Sequence, residues 1–279
     1  MFIKCWGSRG SIPVSGRNYL KYGGDTTCME IRSKNGHVIV IDAGTGIRRL
    51  GNQLMEEQRF EYDFIFTHAH WDHLMGFPFF KPLYVKSAKI RMQGCPFARQ
   101  YVEKLISRVM APPNFPIRPN AIQAEVEYEP VCPTSFEIDS ITVTPIPLTH
   151  PNGGSGYKFE EDGKTFVFLT DNELDFPHNN AKYFEDYLAF CQGADLLIHD
   201  AEFTPKEYET TRGWGHSVYP RVVELAVQAG VKELGLFHLN QDRFDDDMDR
   251  IVEDSQNILA EQGADIQCSA VACDRVFEL

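Results

Sequence analysis

The chain has 279 residues, 43% of them hydrophobic and 12% aromatic, which suits one large domain or two fused halves with a sizeable core. Forty Asp and Glu against 27 Lys and Arg leave a formal charge of −13. That balance excludes a broad electrostatic grip on long nucleic acid, whose affinity rests on neutralised phosphates, but leaves room for a small phosphate-bearing substrate if bound dications invert the local field.

The opening Phe2-Ile3-Lys4-Cys5-Trp6 reads as a short strand rather than the apolar run of a secretory leader, and a Gly7-Ser8-Arg9-Gly10-Ser11-Ile12-Pro13 loop follows. Met29 to Arg32 and His37 to Ile41 are expected to pair around the Asn35-Gly36 turn. Asp42-Ala43-Gly44-Thr45-Gly46 then leads into a short helix through Ile47 and Leu50, stopped near Gly51. Those glycines are not a dinucleotide fingerprint, because Arg49 stands where the third glycine belongs. Between 84 and 135 the pattern loosens. Tyr101, Val102, Leu105, Ile106, Val109 and Met110 predict one helix with an apolar face, and Pro112, Pro113, Pro116 and Pro119 follow. This segment is expected to be a lid, a wall or an oligomer contact, with a plain surface excursion as the alternative.

From 136 onward strands and helices alternate. Strands are expected at Ile141 to Leu148, at Thr165 to Leu169 after the Glu161-Asp162-Gly163-Lys164 turn, at Ala194 to Ile198 and at Leu234 to Phe237. Helices are expected around Tyr183 to Cys191 closed by Gly193, from a Ser217 cap to Gly230, and from about Asp247 to Ala260. The acidic run Asp245-Asp246-Asp247 reads as a helix start, not a metal site. No stretch approaches the roughly eighteen apolar residues of a membrane span. The seven cysteines are scattered without a C-x-x-C pair, as free thiols in a reducing cytoplasm would be.

Chemistry concentrates in Thr67-His68-Ala69-His70-Trp71-Asp72-His73. On extended chain, side chains two apart point the same way, so His68 and His70 can close on one cation while Asp72 and His73 face a second position. Apolar strands also end in ligand-type residues: His68, His150, Asp171, His199 with Asp200, and His238. Such strand ends are expected to converge at one edge of a sheet. Imidazole and carboxylate suit Zn, Mn or Fe. We assign His68, His70 and His150 to one metal, and Asp72, His73 and His238 to another, with Asp171 as the bridging carboxylate. Two dications about 3.5–4 Å apart can hold a bridging hydroxide as a nucleophile. His37 and His178 are expected to be solvated, His199 to be a structural hydrogen-bonder, and Asp42 to orient a ligand imidazole.

The H-x-H-x-D-H stretch, with His150, Asp171, His238 and Asp42, resembles the metallo-β-lactamase superfamily over nearly the whole chain. The resemblance implies an α+β fold, a four-layer αβ/βα sandwich in a single domain over 1–279, with similar halves at about 1–135 and 136–279 and an insertion at about 84–135. Gly7-Ser8-Arg9-Gly10-Ser11, Leu197-Ile198-His199-Asp200-Ala201 and Gly215-His216-Ser217 look like its phosphodiesterase branch. That branch includes transfer-RNA 3′-processing endonucleases and cyclic-phosphate phosphodiesterases. It implies that His216 contacts the scissile phosphate or protonates the leaving group. The Gly213-Trp214-Gly215 lead-in and a helix N-terminus at Ser217 would make an anion-friendly corner for it. Asp200 is expected to orient His216.

One departure is the lack of a Gly/Pro/Lys-rich arm such as the transfer-RNA nucleases use. The expectation is therefore a cytoplasmic, metal-dependent phosphodiesterase acting on a small or cyclic phosphodiester such as a cyclic nucleotide. Its catalytic residues are His216, Asp72 and Asp200, and it carries two divalent ions, zinc first with manganese or iron as alternatives. Long nucleic acid and membrane are not expected as partners; a homodimer is. Alternatives are an acyl hydrolase of the same fold (lactonase or thioesterase) and a catalytically silent scaffold.

Overall fold

The computed structural model describes residues 1–93, 104, 106–113, 115–116, 119–128, 134–178 and 182–279. Two seven-stranded sheets carry the fold. The first contains β1 (Phe2–Gly7), β2 (Cys28–Arg32), β3 (Val38–Ile41), β4 (Glu61–Ile65), β5 (Lys89–Gln93) and β6 (Glu125–Tyr128) in chain order, with β14 (Val276–Glu278) on the far side of β1. The second contains β7 (Phe136–Ile138), β8 (Ile141–Pro147), β9 (Ser155–Glu161), β10 (Lys164–Leu169), β11 (Leu196–Asp200), β12 (Glu233–Phe237) and β13 (Gln267–Ala270), again in chain order. The boundary expected near 135 falls between β6 and β7, and β14 crosses back over it.

Strand residues point alternately to opposite faces, and here both faces are covered, which is why the central strands read as unbroken apolar runs. In β3, Val38 and Val40 face the outer core, whereas Ile39 and Ile41 face the inter-sheet core. That inner layer joins Ile3, Ile31 and Ile65 of the first sheet to Tyr157, Phe166, Phe168 and Phe237 of the second. Helix α1 (Ile47–Glu56) covers the outside of the first sheet. Helices α3 (Phe184–Cys191), α5 (Tyr219–Ala229) and α6 (Asp245–Glu261) cover the second, while α2 (Trp71–Leu74) and α4 (Pro205–Thr211) are short and lie in connections. The result is helix, sheet, sheet, helix: the four-layer α+β sandwich.

Phe168 is fully buried in the inner layer, edge-on to Phe237 at 5.2 Å between ring centroids. Phe168→Ala is expected to cost about 3–5 kcal/mol, read as a lowered denaturant midpoint at unchanged slope.

Several local expectations are corrected. α1 does not stop at Gly51 but runs on to Glu56; a Cβ at Gly51 would lie 2.9 Å from the Phe80 ring, so this glycine makes room for packing instead of ending the helix. Ser217 does not cap α5, whose N-cap is Val218; its hydroxyl donates to the Asn172 carbonyl and accepts from Leu174 N–H. The segment 84–135 is not only an excursion, because β5 and β6 extend the first sheet in parallel register. Of the helix expected over 101–110, residues 101, 102 and 105 lie outside the described residues; 106–109 are helical, and Ile106 and Met110 are buried in the outer core.

Candidate metal centre

Two ligand sets meet where the strands end. β4 leads to His68, β8 to His150, β10 to Asp171 and β12 to His238, while Asp200 is the last residue of β11. The expected single sheet edge is corrected: His68 follows a strand of the first sheet and the other four residues belong to the second, so the centre spans both. Sequence displays strand ends but not which sheet each strand joins. Asp42, Asp171 and His238 leave their strands at φ of 60°, 53° and 55°. Left-handed backbone in residues with a Cβ costs on the order of 1–3 kcal/mol each and clusters at functional sites.

His68, His70, His150 and Asp171 form one set, and Asp72, His73, Asp171 and His238 the other, with the ligand atoms of each set within 4.8 Å of one another. Asp171 belongs to both. Its Oδ2 lies 3.4 Å from His68 Nε2, 3.7 Å from His150 Nε2 and 3.3 Å from His238 Nε2, and its Oδ1 lies 3.2 Å from His73 Nε2. Asp72 Oδ2 stands 3.3 Å from His73 Nε2 and 3.4 Å from His238 Nε2, and also accepts the Ser11 N–H at 2.8 Å. All are buried except His70, which is half-buried.

Whether these residues fit divalent cations is decided by three ring nitrogens. Among the described residues, Nε2 of His68, His73 and His238 are buried with no hydrogen-bond partner, and all three are aimed into the cluster. A buried unsatisfied polar group costs roughly 1–3 kcal/mol, so His68 in the first set and His73 and His238 in the second call for a ligand in each. Imidazole nitrogens with carboxylate oxygens are the donors that zinc, manganese and iron accept. The residues fit.

The opposite nitrogens are held. His73 Nδ1 meets Asp42 Oδ2 at 2.8 Å, and Asp42 also accepts from Thr67 N–H and Thr67 Oγ1. His68 Nδ1 lies 3.1 Å from Thr67 Oγ1, His150 Nδ1 2.9 Å from the Gly215 carbonyl, and His238 Nδ1 3.0 Å from Glu202 Oε2. Such partners fix ring orientation and tautomer. Two glycines allow the rings to sit where they do: a Cβ at Gly10 would fall 2.2 Å from the His238 ring, and one at Gly215 2.1 Å from His150 Nδ1.

Burial pushes His68 well below the ordinary imidazole range and His150 down to about 3, so both rings are neutral donors of a lone pair. Burial also opposes charge on His73 and His238, yet the carboxylates of Asp72 and Asp171 around His73, and of Asp171 beside His238, raise both well above that range. Without cations, then, carboxylates and protonated imidazoles neutralise one another.

His216 stands just beside the two ligand sets. Its ring stacks on His238 at 4.4 Å and meets His150 edge-on at 5.2 Å. Its Nδ1 lies 2.6 Å from Asp200 Oδ2 and 3.4 Å from Glu202 Oε2. Burial works against its charge, but Asp200 first and Glu202 after it prevail, and the ring is raised to about 9.

Not every histidine is where it was expected. His37 and His178 are half-buried and paired, not freely solvated: His37 Nε2 lies 2.5 Å from buried Asp63, and His178 Nε2 3.0 Å from buried Glu173. His199 is fully buried between the Asp200 carbonyl and the Asn172 amide.

Sequence reasoning missed Glu202 and Glu173. Glu202 stands two residues past Asp200, the spacing that puts both on one side of extended chain, and that was the available signal. Glu173 accepts the N–H groups of Gly213 and Gly215 at 2.7 Å and so shapes the turn before His216. Glu202→Gln is expected to weaken metal affinity at the Asp72–His73–His238 set by about 10- to 100-fold, measured by competition with a chelator.

Paired ligand sets at the carboxyl ends of two packed sheets define a metal-binding αβ/βα sandwich. Residues 37–239 match the family described as the beta-lactamase superfamily domain, and the chain belongs to that superfamily. It is similar to the ribonuclease Z of Haloarcula marismortui, 23% identical over 316 aligned positions, gaps included, that span 94% of this chain and 95% of that one. Among solved structures, the metallo-β-lactamase fold protein YhfI from Bacillus subtilis superposes with a TM-score of 0.71 at 16% identity, covering 100% of this chain and 99% of that one. A diphosphatase of the PhnP family superposes with a TM-score of 0.67 at 19% identity, covering 100% and 97%. The fold and the histidine–aspartate clusters support divalent metal ions. Among the described residues no helix is long and apolar enough to cross a membrane.

Proposed function

We propose that the chain is a metal-dependent phosphodiesterase acting on a small or cyclic phosphodiester. His68, His70 and His150 would hold one divalent cation, and Asp72, His73 and His238 the other, with Asp171 shared; zinc is the first choice and manganese or iron the alternatives. Bound there, the cations lower the pKa of water and neutralise charge that develops on phosphoryl oxygens.

His216 carries the choice of phosphorus over carbon. Asp200 engages its Nδ1 at 2.6 Å, which leaves Nε2 to hold a proton beside the centre. A protonated imidazole in that place would deliver the proton to the departing alkoxide oxygen, a need that a thioester, which leaves as a thiolate, feels less. Asp200 acts through His216 by fixing its tautomer, and Asp42 and Glu202 do the same for His73 and His238.

The ribonuclease Z relatives support phosphodiester chemistry and also favour a second reading, RNA as the substrate. The formal charge of −13 favours a short substrate over a long one. A cytoplasmic setting and a homodimer complete the proposal. Cys5, Cys28, Cys191 and Cys268 are buried free thiols, as a reducing compartment permits, and light scattering would read a dimer as about twice 31.8 kDa.

Metal-loaded protein is expected to hydrolyse bis-p-nitrophenyl phosphate and members of a cyclic-nucleotide panel. Turnover of thioesters or lactones with none of phosphodiesters would overturn the reading. Cleavage of a structured RNA with none of the small diesters would transfer it to RNA.

A further inference from the structure

Glu173 is a carboxylate only 1% exposed, two residues past the shared ligand Asp171. A charge that deep is costly unless its oxygens are hydrogen-bonded, and four groups meet them. Oε1 accepts the Gly213 N–H at 2.7 Å and the Tyr208 hydroxyl at 2.6 Å. Oε2 accepts the Gly215 N–H at 2.7 Å and faces His178 Nε2 at 3.0 Å. Each oxygen thus holds one N–H of the Gly213-Trp214-Gly215 turn. Gly213 and Gly215 stand at φ of 88° and 98°, where glycine has no preferred path of its own, so the path is imposed by what binds their N–H groups.

The turn carries two things. The Gly215 carbonyl lies 2.9 Å from His150 Nδ1, and a Cβ at Gly215 would fall 2.1 Å from the same atom, so ring and turn cannot move apart independently. The next residue is His216. Meanwhile the Glu173 backbone N–H donates to the Thr149 carbonyl at 2.9 Å, and the Asn172 side chain accepts the Thr149 N–H at 2.9 Å. His150 is therefore gripped twice: through its main chain by residues 172 and 173, and through its ring by a turn that Glu173 holds. Asp171, His150 and His216 come from three separate connections, and Glu173 touches all three.

We propose that Glu173 is a positioning residue that sets two imidazoles at once. Through Gly215 it fixes the tautomer and direction of His150, and by pinning both glycines it places His216 beside the centre. The His150 half rests on the metal-ligand assignment alone; the His216 half rests also on the phosphodiesterase reading.

Glu173→Gln keeps the size of the side chain, but its amide nitrogen must face a glycine N–H at one of the two oxygen positions, donor against donor. In zinc-loaded protein carrying isotope-labelled histidine, magnetic resonance is expected to show the His150 ring N–H exchanging with water about ten-fold faster or more. The ring N–H groups of His73 and His238, held by Asp42 and Glu202, are the internal controls and should not change. In a chelator titration one zinc ion should leave about 10- to 100-fold more readily and the other as before. Turnover of a cyclic nucleotide should fall more than that of a p-nitrophenyl ester, because His216 loses its place. Glu173→Asp keeps the charge while withdrawing the carboxylate by about 1.5 Å. It should show the same selective loss, and it decides the matter if Glu173→Gln does not fold.

Unchanged exchange at His150 in a folded variant, or equal acceleration at all three rings, would overturn the proposal. An equal fall for both substrates overturns its His216 half. Selective loss at His150 in a chain that hydrolyses no phosphodiester upholds the His150 half and sinks the activity; hydrolysis by the parent without selective loss in the variants sinks the positioning role alone.

Discussion

Asp171→Asn is expected to lower phosphodiester turnover by roughly a thousand-fold or more and to reduce bound metal from about two ions per chain to one or fewer. The substitution isolates charge from shape. Asparagine matches aspartate in volume and tolerates the left-handed backbone that residue 171 adopts at φ 53°, so the strand end after β10 keeps its path. What is lost is the carboxylate that stands between 3.2 and 3.7 Å from ring nitrogens of His73, His238, His68 and His150. Among the described residues no other carboxylate belongs to both ligand sets. Metal content by plasma emission and turnover on the same preparation check the result; two ions retained with a rate within ten-fold of the parent would sink the shared-ligand assignment.

His216→Ala should behave differently. It belongs to neither of the two sets that share Asp171, so metal content is expected to remain unchanged while kcat falls by about 10²- to 10⁴-fold. The loss should also depend on the leaving group. A cyclic nucleotide expels an alkoxide that needs a proton and should show the full drop. A p-nitrophenyl ester expels a stable phenolate and should lose about ten-fold at most. Asp200→Asn should follow the same pattern with a smaller amplitude, because it releases the ring that Asp200 holds at 2.6 Å. A uniform loss across leaving groups would assign His216 to holding phosphate, and no loss at all would return the acyl hydrolase to first place.

Much of this centre is legible in the chain because its information is local. His68, His70, Asp72 and His73 are spaced for two positions by strand and helix periodicity, and Asp42, His150, Asp171, Asp200 and His238 stand directly after apolar runs. What escapes is long-range. The partner of His37 is Asp63, a residue on a parallel strand, and nothing near His37 signals it. Ser217 has the composition of a helix cap, but its hydroxyl bonds the chain at Asn172, 45 residues away. β5 escapes for a different reason: Lys89, Arg91 and Gln93 occupy one face of a five-residue strand, and their polarity masks the buried Ile90 and Met92 on the other. Glu202 falls between these cases, visible as a strand-end residue but meaningful only once His238 and His216 are beside it.

The return of β14 to the first sheet has a consequence for how the chain comes into being. Phe2 pairs with Glu278, so the outer edge of β1 is covered only after the chain as far as β14 has been made. During vectorial synthesis that edge of β1 stays open, a template for wrong partners, while the five strands β2 to β6 are laid down on its other side. Closing it carries the highest loop-closure cost in the molecule, which places the step late in folding. The short strand Val276–Glu278 therefore acts as a clasp, and the first sheet gains its seventh strand only once synthesis has passed β14.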